Sequence, residues 1–226
     1  MAKNDMKLSW LFKKCLNAEK NYIHVEEDGS YLLQRNGSTL FLLLQKSNGK
    51  NDWRNNFDFP AKPYHDMPVT WKAHRGFVRV WKAIEPYVAD AIMDPTVKKI
   101  VTVGYSHGAA LAALAQEYIW FNRPDIRDNC FSYAFEAPRV FCGVRIPKKL
   151  KERWANHLVI RTANDLVTHV PPLLFGFKHV GSMLELPLTE ATGMKKHRKL
   201  NCINAHYADN VLTAIELYEK NLKENA

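Results

Sequence analysis

Long apolar runs are missing from this sequence of 226 residues. The longest run near its start, residues 40–44, has the length of one strand, whereas a bilayer span needs about 18 consecutive apolar residues. The first residues also lack the apolar stretch of a signal peptide, because Lys13 and Lys14 interrupt it. We therefore expect no transmembrane anchor and a cytoplasmic location.

Cysteine is scarce and widely spaced. The four cysteines form no Cys-x-x-Cys pair that would indicate a zinc or redox site. They are Cys15, Cys130, Cys142 and Cys202. Reduced thiols, as in a cytoplasmic protein, are the simplest interpretation.

Linkers, repeats and long charged arms are absent too, so we predict a single domain over residues 1–226. With 46% hydrophobic residues, the chain can bury a sizeable core. Its 32 Lys and Arg exceed its 23 Asp and Glu, giving a net charge of +9. The basic residues are scattered, so no nucleic acid partner is expected. Peripheral contact with an anionic membrane and simple solubility both remain open.

The first part of the chain has the pattern of an antiparallel meander. Three β-like stretches, 22–25, 31–34 and 39–44, are separated by Asp28-Gly29 and Asn36-Gly37. Such pairs are strong hairpin signals. A weakly helical segment, 8–17, precedes them.

From Gly76 onward, helical and strand patterns alternate. Apolar residues recur at three- and four-residue steps between Phe77 and Val88, which indicates one helical face. Further on, the predicted strands are 99–103, 131–135, 157–161 and 179–186, and the predicted helices are 106–121 and 207–222. The fold class is therefore α/β, a mainly parallel central sheet flanked by helices, with the antiparallel meander at its N-terminal edge.

The most informative motif lies between a predicted strand and a predicted helix. Gly104-Tyr105-Ser106-His107-Gly108 is a Gly-x-Ser-x-Gly sequence, which in this context predicts a nucleophile elbow. In such a turn Ser106 is exposed above the sheet, the two glycines avoid clashes, and the N–H of His107 can stabilise an oxyanion. The alternative is a glycine-rich turn with a capping serine.

A serine nucleophile needs a base and an acid, here in the order Ser, acid, His. Asp165 directly follows a predicted strand, where the loops of a parallel sheet gather, although a turn aspartate is the simpler alternative. Of the four later histidines, His206 precedes the last helix and is the predicted base. The other three have simpler interpretations: His169 shapes the acid loop, His179 lies buried in a strand, and His197 lies in a solvated basic loop.

Several ordered blocks together resemble the class 3 lipases, α/β-hydrolases of the fungal triacylglycerol lipase type. Besides the elbow, the similar blocks are residues 73–77, 136–140, 164–172 and 175–181. The resemblance runs from about residue 40 to the end. It implies an α/β-hydrolase fold with Ser106 as nucleophile, Asp165 as orienting acid and His206 as base.

One block departs from the family pattern. Where the family has Phe-Arg-Gly-Ser or Phe-Arg-Gly-Thr, this chain has Leu44-Gln45-Lys46-Ser47. By position, Ser47 supplies the second part of the oxyanion hole, but the lysine replaces a glycine at which the backbone should bend. The position of the family's lid, residues 48–56, is short and polar, with Trp53 as its one large apolar residue.

These features predict a serine hydrolase of carboxylic esters, with lipid esters or small esters as substrates and no metal or organic cofactor. The acyl group would lie along residues 171–175, a run that core packing explains equally well. Two alternatives remain. One is a catalytically impaired module that binds a lipid or a protein, favoured by Gln45 and Lys46. The other is a phospholipase or peripheral binder directed to anionic membranes by the positive charge.

Overall fold

The computed structural model describes residues 6–45, 61–64, 71–143, 151–189 and 204–225. Its main sheet is built from β1 (Ile23–His24), β2 (Ser30–Asn36), β3 (Thr39–Leu44), β6 (Lys99–Tyr105), β7 (Cys130–Phe135), β9 (His157–Thr162) and β11 (Ser182–Leu186), in the spatial order β1-β2-β3-β6-β7-β9-β11. From β3 to β11 every neighbouring pair is parallel. The carboxyl ends of these strands therefore meet at one edge of the sheet.

The longer helices are α1 (Leu8–Asn17), α2 (Arg75–Met93), α3 (His107–Asn122) and α4 (Ala208–Glu224). None of the helices in the described ranges is long and apolar enough to span a membrane. The predicted fold class is confirmed: a mostly parallel sheet is flanked by helices, as in an α/β-hydrolase.

The central strands are apolar on both faces because both faces are covered. Ile100, Val101 and Val103 of β6 are fully buried. One face packs with α2 and α3 in one cluster of buried residues, and the other packs with α1 and α4 in a second cluster. Continuous apolar strands rather than alternating ones are the expected consequence of this two-sided burial.

The helix predicted from apolar spacing is confirmed. Phe77, Val80, Trp81, Ile84 and Val88 of α2 are all buried. In contrast, α3 is buried on nearly all sides, since its residues from His107 to Glu117 are all buried. A helix that is apolar all round belongs inside the protein, and α3 lies directly behind the strand-to-helix turn at residue 106.

The predicted meander is also confirmed, with one difference in its turns. β1 pairs antiparallel with β2, and β2 with β3. Gly37 takes a φ of 58° between β2 and β3 and forms the tight hairpin. At the first connection the chain instead makes a 3₁₀ turn over Glu26–Asp28, and Glu27 rather than Gly29 has a positive φ.

Two sequence expectations differ from the structure. The strand predicted over residues 179–186 begins only at Ser182, as β11, and His179 lies between it and a separate short strand, β10 (Phe177–Lys178). A second sheet, in the order β10-β8-β5-β4, includes β4 (Ala61–Tyr64), β5 (Trp71–His74) and β8 (Phe141–Cys142). Strands of two to four residues are too short to show a clear alternating pattern, so this sheet was not predicted.

Candidate active site

Ser106 lies at the turn between β6 and α3. Its φ of 58° and ψ of −120° are strained for a residue with a side chain, as expected of a nucleophile elbow. The backbone N–H of Ser106 donates to the Phe135 carbonyl oxygen at 2.9 Å, and its own carbonyl accepts from Ala109 N at 3.0 Å. The turn is therefore held from the sheet on one side and from the helix on the other.

Gly104 and Gly108 are needed because the backbone passes too close for a Cβ. A Cβ on Gly104 would lie 2.0 Å from the carbonyl oxygen of Gly108. A Cβ on Gly108 would lie 2.1 Å from the carbonyl oxygen of Leu44 at the end of β3. The two predicted elbow glycines thus let the first turn of α3 pack against both neighbouring strands.

The structure brings Ser106, His206 and Asp165 together, although they lie far apart in the sequence. The Nε2 atom of His206 is 2.8 Å from the Oγ atom of Ser106. Its Nδ1 atom is 2.6 Å from Oδ2 of Asp165. This is the arrangement in which an imidazole takes a serine proton while a carboxylate fixes its tautomer.

The two partners of His206 differ in exposure. Asp165 is fully buried, and its Oδ1 accepts from the N–H of Val167 at 2.8 Å. The side chain of His206 is about 20% exposed, and Ser106 is partly exposed. The acid is thus shielded from water, whereas the hydroxyl and the imidazole can reach a substrate.

His206 is held by a turn and by a tyrosine. Residues 204–207 form a turn closed by the Tyr207 N–H on the Asn204 carbonyl at 3.1 Å. The ring of Tyr105 stacks on the imidazole at 5.4 Å between centroids, and its hydroxyl donates to the His206 carbonyl oxygen. Tyr105 is part of the elbow motif, so the motif also positions the predicted base.

The predicted oxyanion hole is described in part. His107 is the first residue of α3, so its N–H points with the positive end of the helix dipole. Its imidazole is buried against Phe77, and burial lowers the pKa of His107 to about 3. The side chain is thus neutral and brings no positive charge to an oxyanion. Ser47, like Lys46, lies outside the described residues.

Gln45, the other residue of the departing block, is described. Its side chain is buried, and neither its amide nitrogen nor its carbonyl oxygen has a hydrogen-bond partner within the described part of the chain. Its backbone carbonyl lies beside Gly108, 2.6 Å from the position a Cβ would take there. The departing block therefore borders the elbow. The predicted lid residue Trp53 lies outside the described ranges.

Of the other histidines weighed as the base, the two that are described, His169 and His179, bond to the acid loop and not to Ser106. His169 shapes the acid loop as predicted, because its Nδ1 is 2.8 Å from the backbone oxygen of Asp165. His179 is not in a strand, but its Nε2 is 2.9 Å from the Thr168 carbonyl oxygen, and burial lowers its pKa to about 4. His197 lies outside the described residues.

The run from residue 171 to 175 is not core. Pro171 is buried, but Leu173, Leu174 and Phe175 are exposed, Leu174 by 91%. The interpretation of this run as core packing is therefore wrong for residues 172–175, all of which are exposed. Leu166 and Tyr207, next in sequence to Asp165 and His206, are exposed as well. We name these five residues, Leu166, Leu173, Leu174, Phe175 and Tyr207, the apolar rim.

Comparison with known proteins identifies the family of this chain. A family model described as lipase (class 3) matches residues 41–175, more than half of the chain. The chain belongs to the class 3 lipase family. The matched span includes Ser106 and Asp165, while His206 lies beyond it.

The relatives are fungal lipases. The chain is 27% identical over 155 residues to a lipase from Rhizomucor miehei, a match that covers 63% of this chain and 40% of that protein. The chain thus spans well under two thirds of that curated relative. A structure of Rhizomucor miehei lipase with its propeptide superposes with a TM-score of 0.63 and 17% identity, covering 92% of this chain and 76% of that one. A triacylglycerol lipase from Penicillium expansum superposes with a TM-score of 0.59 and 21% identity, covering 83% of this chain and 77% of that one.

Two residues near the triad were given no role by the sequence. Arg139 is buried, and its guanidinium donates to the backbone oxygens of Pro171, at 2.9 Å, and His169, which holds the acid loop. Glu136 directly follows β7 and is fully buried. The rule that selected Asp165, an acid just after a strand and between Ser106 and His206, fits Glu136 equally and could have identified it.

No group of three or more His, Cys, Asp or Glu side chains within the described ranges could hold a metal ion. The described chemistry is a hydroxyl, an imidazole and a carboxylate in one hydrogen-bonded line beside a helix N-terminus. Such a line can activate the hydroxyl for attack on an acyl carbon.

Proposed function

We propose that this chain hydrolyses carboxylic esters through an acyl-enzyme on Ser106. The observation that carries the proposal is the hydrogen-bonded line from Ser106 Oγ through the His206 imidazole to Asp165, placed on a strained elbow. A hydroxyl in this setting loses its proton as it attacks, which a serine at neutral pH does poorly alone. Membership of the class 3 lipase family supports the same reaction.

In the proposed reaction, His206 Nε2 takes the proton of Ser106 as Oγ attacks the ester carbonyl carbon. Asp165 stabilises the imidazolium, and the oxyanion faces the N-terminus of α3, where the N–H of His107 donates to it. His206 then gives the proton to the leaving alkoxide. A water molecule repeats the cycle on the acyl-enzyme and releases the acid. Ser47 stays a predicted second donor.

A fluorophosphonate probe tests the proposal directly, since it reacts with activated serines. We expect stoichiometric labelling, with the phosphonate found by peptide mass spectrometry on the peptide that contains Ser106. Heat-unfolded protein is the control, because unfolding separates the hydroxyl from His206. Absence of labelling in the folded protein would refute the proposal.

A second candidate is a class 3 lipase domain that binds a lipid or a protein without turnover. It is favoured by the replacement of the family's Arg and Gly by Gln45 and Lys46. It is also favoured by the buried side-chain amide of Gln45, which has no hydrogen-bond partner among the described residues. A misshapen oxyanion hole would leave the serine nucleophilic but slow to reach the tetrahedral state. Binding of a lipid ester with no measurable turnover would favour this candidate over the first.

We further propose that the ester is a lipid ester. The apolar rim supports this, because it places exposed Leu, Phe and Tyr side chains on the two loops that carry Asp165 and His206. Exposed apolar residues beside a site indicate that it contacts an apolar ligand or surface. The relatives named above carry the name lipase, and one is named a triacylglycerol lipase.

Leu174→Asp tests the role of the rim. We expect activity on emulsified triacylglycerol to fall at least about fivefold, because a charge opposes burial in lipid. Activity on a dissolved p-nitrophenyl butyrate should stay unchanged. Met93→Asp, at an exposed methionine at the end of α2, is the matched control and should change neither activity. Equal losses on both substrates would contradict the proposal.

The net charge of +9 supports a finer proposal, contact with an anionic membrane surface. Sedimentation with vesicles of phosphatidylglycerol should exceed that with phosphatidylcholine and should decrease as salt screens the attraction. A phospholipase would also release fatty acid from the phosphatidylglycerol vesicles. Equal binding to both lipids at low salt would refute the electrostatic contact.

The cytoplasmic location also stays a proposal. It is supported by Cys130, a buried thiol whose Sγ donates to Gln116 Oε1 at 3.0 Å. Cell fractionation with a tagged full-length protein tests it. Recovery of the protein in the medium would refute it.

A further inference from the structure

Glu136 is fixed in the interior beside the acid of the triad. It directly follows β7, has a φ of 50°, and its N–H donates to the Ile160 carbonyl oxygen of β9 at 2.8 Å. Its side chain is fully buried. Oε1 accepts from the backbone N–H of Thr162 at 2.9 Å and from its hydroxyl at 2.8 Å, and Oε2 accepts from the same N–H at 3.1 Å. The strained backbone and these hydrogen bonds hold this carboxyl group at the carboxyl end of β9.

The Glu136 carboxyl group lies within hydrogen-bonding reach of the Asp165 side chain, because both residues bond to Thr162: Glu136 accepts from its N–H and hydroxyl, and the Asp165 N–H donates to its carbonyl oxygen at 3.1 Å. A hydrogen bond between two carboxyl groups needs a proton on one of them, since carboxylates only accept. Oδ1 of Asp165 accepts from Val167 N and Oδ2 faces His206 Nδ1, so both of its oxygens act as acceptors. Oε1 of Glu136 accepts from both donors of Thr162 and Oε2 only shares its N–H, so the proton belongs on Oε2, from which it can be donated to Asp165.

We propose that Glu136 is a positioning residue of the triad: as a buried neutral acid it donates a hydrogen bond to the Asp165 carboxylate and holds it in the orientation that His206 requires. This inference rests on the proposed ester hydrolysis. Glu136 acts through Asp165 and does not touch the substrate. The Ser-His-Asp line is thereby extended by one member deeper into the protein.

The charges around the pair agree with a neutral Glu136. Burial raises the pKa of Glu136 well above its ordinary value, and the hydrogen bond with Asp165 and its charge raise it further, against the donors of Thr162. The ionisable groups that face the pair are His206 and Tyr105. Burial, then Glu136 and Asp165, raise the pKa of Tyr105, so its phenol also stays neutral.

Two variants separate a donor from a space-filling side chain. Glu136→Gln keeps the size, accepts from Thr162 and donates an amide N–H to Asp165, whereas Glu136→Met keeps only the size. We expect kcat on p-nitrophenyl butyrate to fall about 10- to 100-fold in the methionine variant with KM unchanged. The glutamine variant should recover most of that loss. Equal kcat in both variants would overturn the inference.

A second readout does not use activity. The folded pKa of Glu136 lies above its value of 4.5 in the unfolded chain, so its stabilising contribution is complete below pH 4.5 and is lost as pH rises above it. In urea unfolding, the folding equilibrium constant of Glu136→Gln, divided by that of the wild type, should therefore rise about tenfold for each pH unit above 4.5 until the pH reaches the folded pKa of Glu136. A flat difference means that Glu136 is ionised when folded and overturns the inference.

The two readouts distinguish the two failures. A wild type that turns over no ester, but shows the pH-dependent difference from the glutamine variant, refutes the ester hydrolysis and keeps the neutral acid beside Asp165. A wild type that turns over ester, with a methionine variant of equal kcat, keeps the hydrolysis and refutes the positioning role. Should Glu136→Met fail to fold, the glutamine variant and its pH dependence still decide the protonation.

Discussion

Among the described residues three serine–histidine side-chain hydrogen bonds occur, and two of them, at Ser106 and Ser132, have similar lengths but differ in the properties that chemistry needs. Ser106 Oγ and His206 Nε2 are 2.8 Å apart. Ser132 Oγ and His157 Nδ1 are 2.9 Å apart. A serine within bonding distance of an imidazole is therefore no sign of an active site by itself.

The two pairs lie at opposite ends of the parallel strands. Ser132 pairs with His157 at the start of β9, and both are buried. The hydroxyl of Ser132 also lies 3.2 Å from the Ala112 carbonyl oxygen of α3, to which it donates. Ser106 follows the carboxyl end of β6, where loops from several strands converge. Of the two serines, only Ser106 has a hydroxyl that a substrate can reach.

The third partner also differs. Asp165 accepts from the Nδ1 of His206. Burial first, and His179 second, lower the pKa of His157 to about 3, and no described carboxylate counters them. A histidine that stays neutral under all ordinary conditions cannot take a serine proton. The difference teaches that the acid and the edge of the sheet, more than the Ser–His contact, distinguish catalysis from packing.

The largest expected effect separates the two serines. Ser106→Ala should lower kcat on p-nitrophenyl butyrate by about 10⁴- to 10⁶-fold, because the nucleophile is gone. Ser132→Ala, the matched control, should leave kcat and fluorophosphonate labelling unchanged. Steady-state kinetics on both purified variants checks this. Loss of activity in the Ser132 variant with an intact fold would break the comparison.

The next effect concerns the acid. Asp165→Asn should lower kcat by about 10³- to 10⁴-fold, because the amide favours the wrong tautomer of His206 and no longer stabilises the imidazolium. KM should change little. The outcome is measured on the same ester, and circular dichroism checks the fold. A variant with a loss under tenfold would show that Asp165 is not the orienting acid.

Exchanging the histidines should separate stability from activity. His157→Gln should lower the free energy of unfolding at pH 8 by about 1 to 3 kcal/mol, because it disturbs a buried hydrogen bond. His206→Gln should abolish turnover at little cost in stability, because its side chain is partly exposed.

The same variant gives a pH test. The pKa of His157 is lowered from 6.5 to about 3, so its stabilising contribution is complete above pH 6.5 and is lost as pH falls towards 3. The deficit of His157→Gln should therefore shrink below pH 6.5 in urea unfolding. His107 and His179 titrate in both proteins and cancel in the difference. A constant deficit from pH 8 to pH 4 would contradict the assigned direction.

The smallest effect should have opposite signs at the two serines. Ser106→Gly relieves a φ of 58° and should raise the free energy of unfolding by about 1 kcal/mol while abolishing turnover. Ser132→Gly lies inside a strand and should lower it by about 1 kcal/mol. Thermal unfolding of both variants checks the signs. Destabilisation by Ser106→Gly would mean that the elbow stores no strain.

The sequence was most reliable where one local pattern carries the information. The elbow, its two glycines and the face of α2 could all be predicted, because each depends on neighbouring residues. The second sheet could not, since its strands are short and distant segments pair in it, as Lys72 of β5 does with Cys142 of β8. The turn before β2 involves more residues than Asp28-Gly29: a 3₁₀ turn runs over Glu26–Asp28, and β2 begins at Ser30.

The candidate site shows the same division. Asp165 was selected by its place after a strand, a rule that applies equally to Glu136, and only the structure shows that both acids meet. The exposure of Leu173, Leu174 and Phe175 also could not be predicted, because apolar residues in a loop fit a core and a surface equally well. Residues 46–60, which include Ser47 and Trp53, lie outside the part of the chain that the structure describes.

The order of apolar and polar residues by itself determined an α/β chain with a serine at a strand-to-helix turn, because strand and helix periods are local properties of the sequence. Which histidine and which carboxylate reach that serine was decided by the tertiary structure. Parallel strands gather the ends of distant segments at one edge, and a contact between residues 100 positions apart depends on how those segments pack.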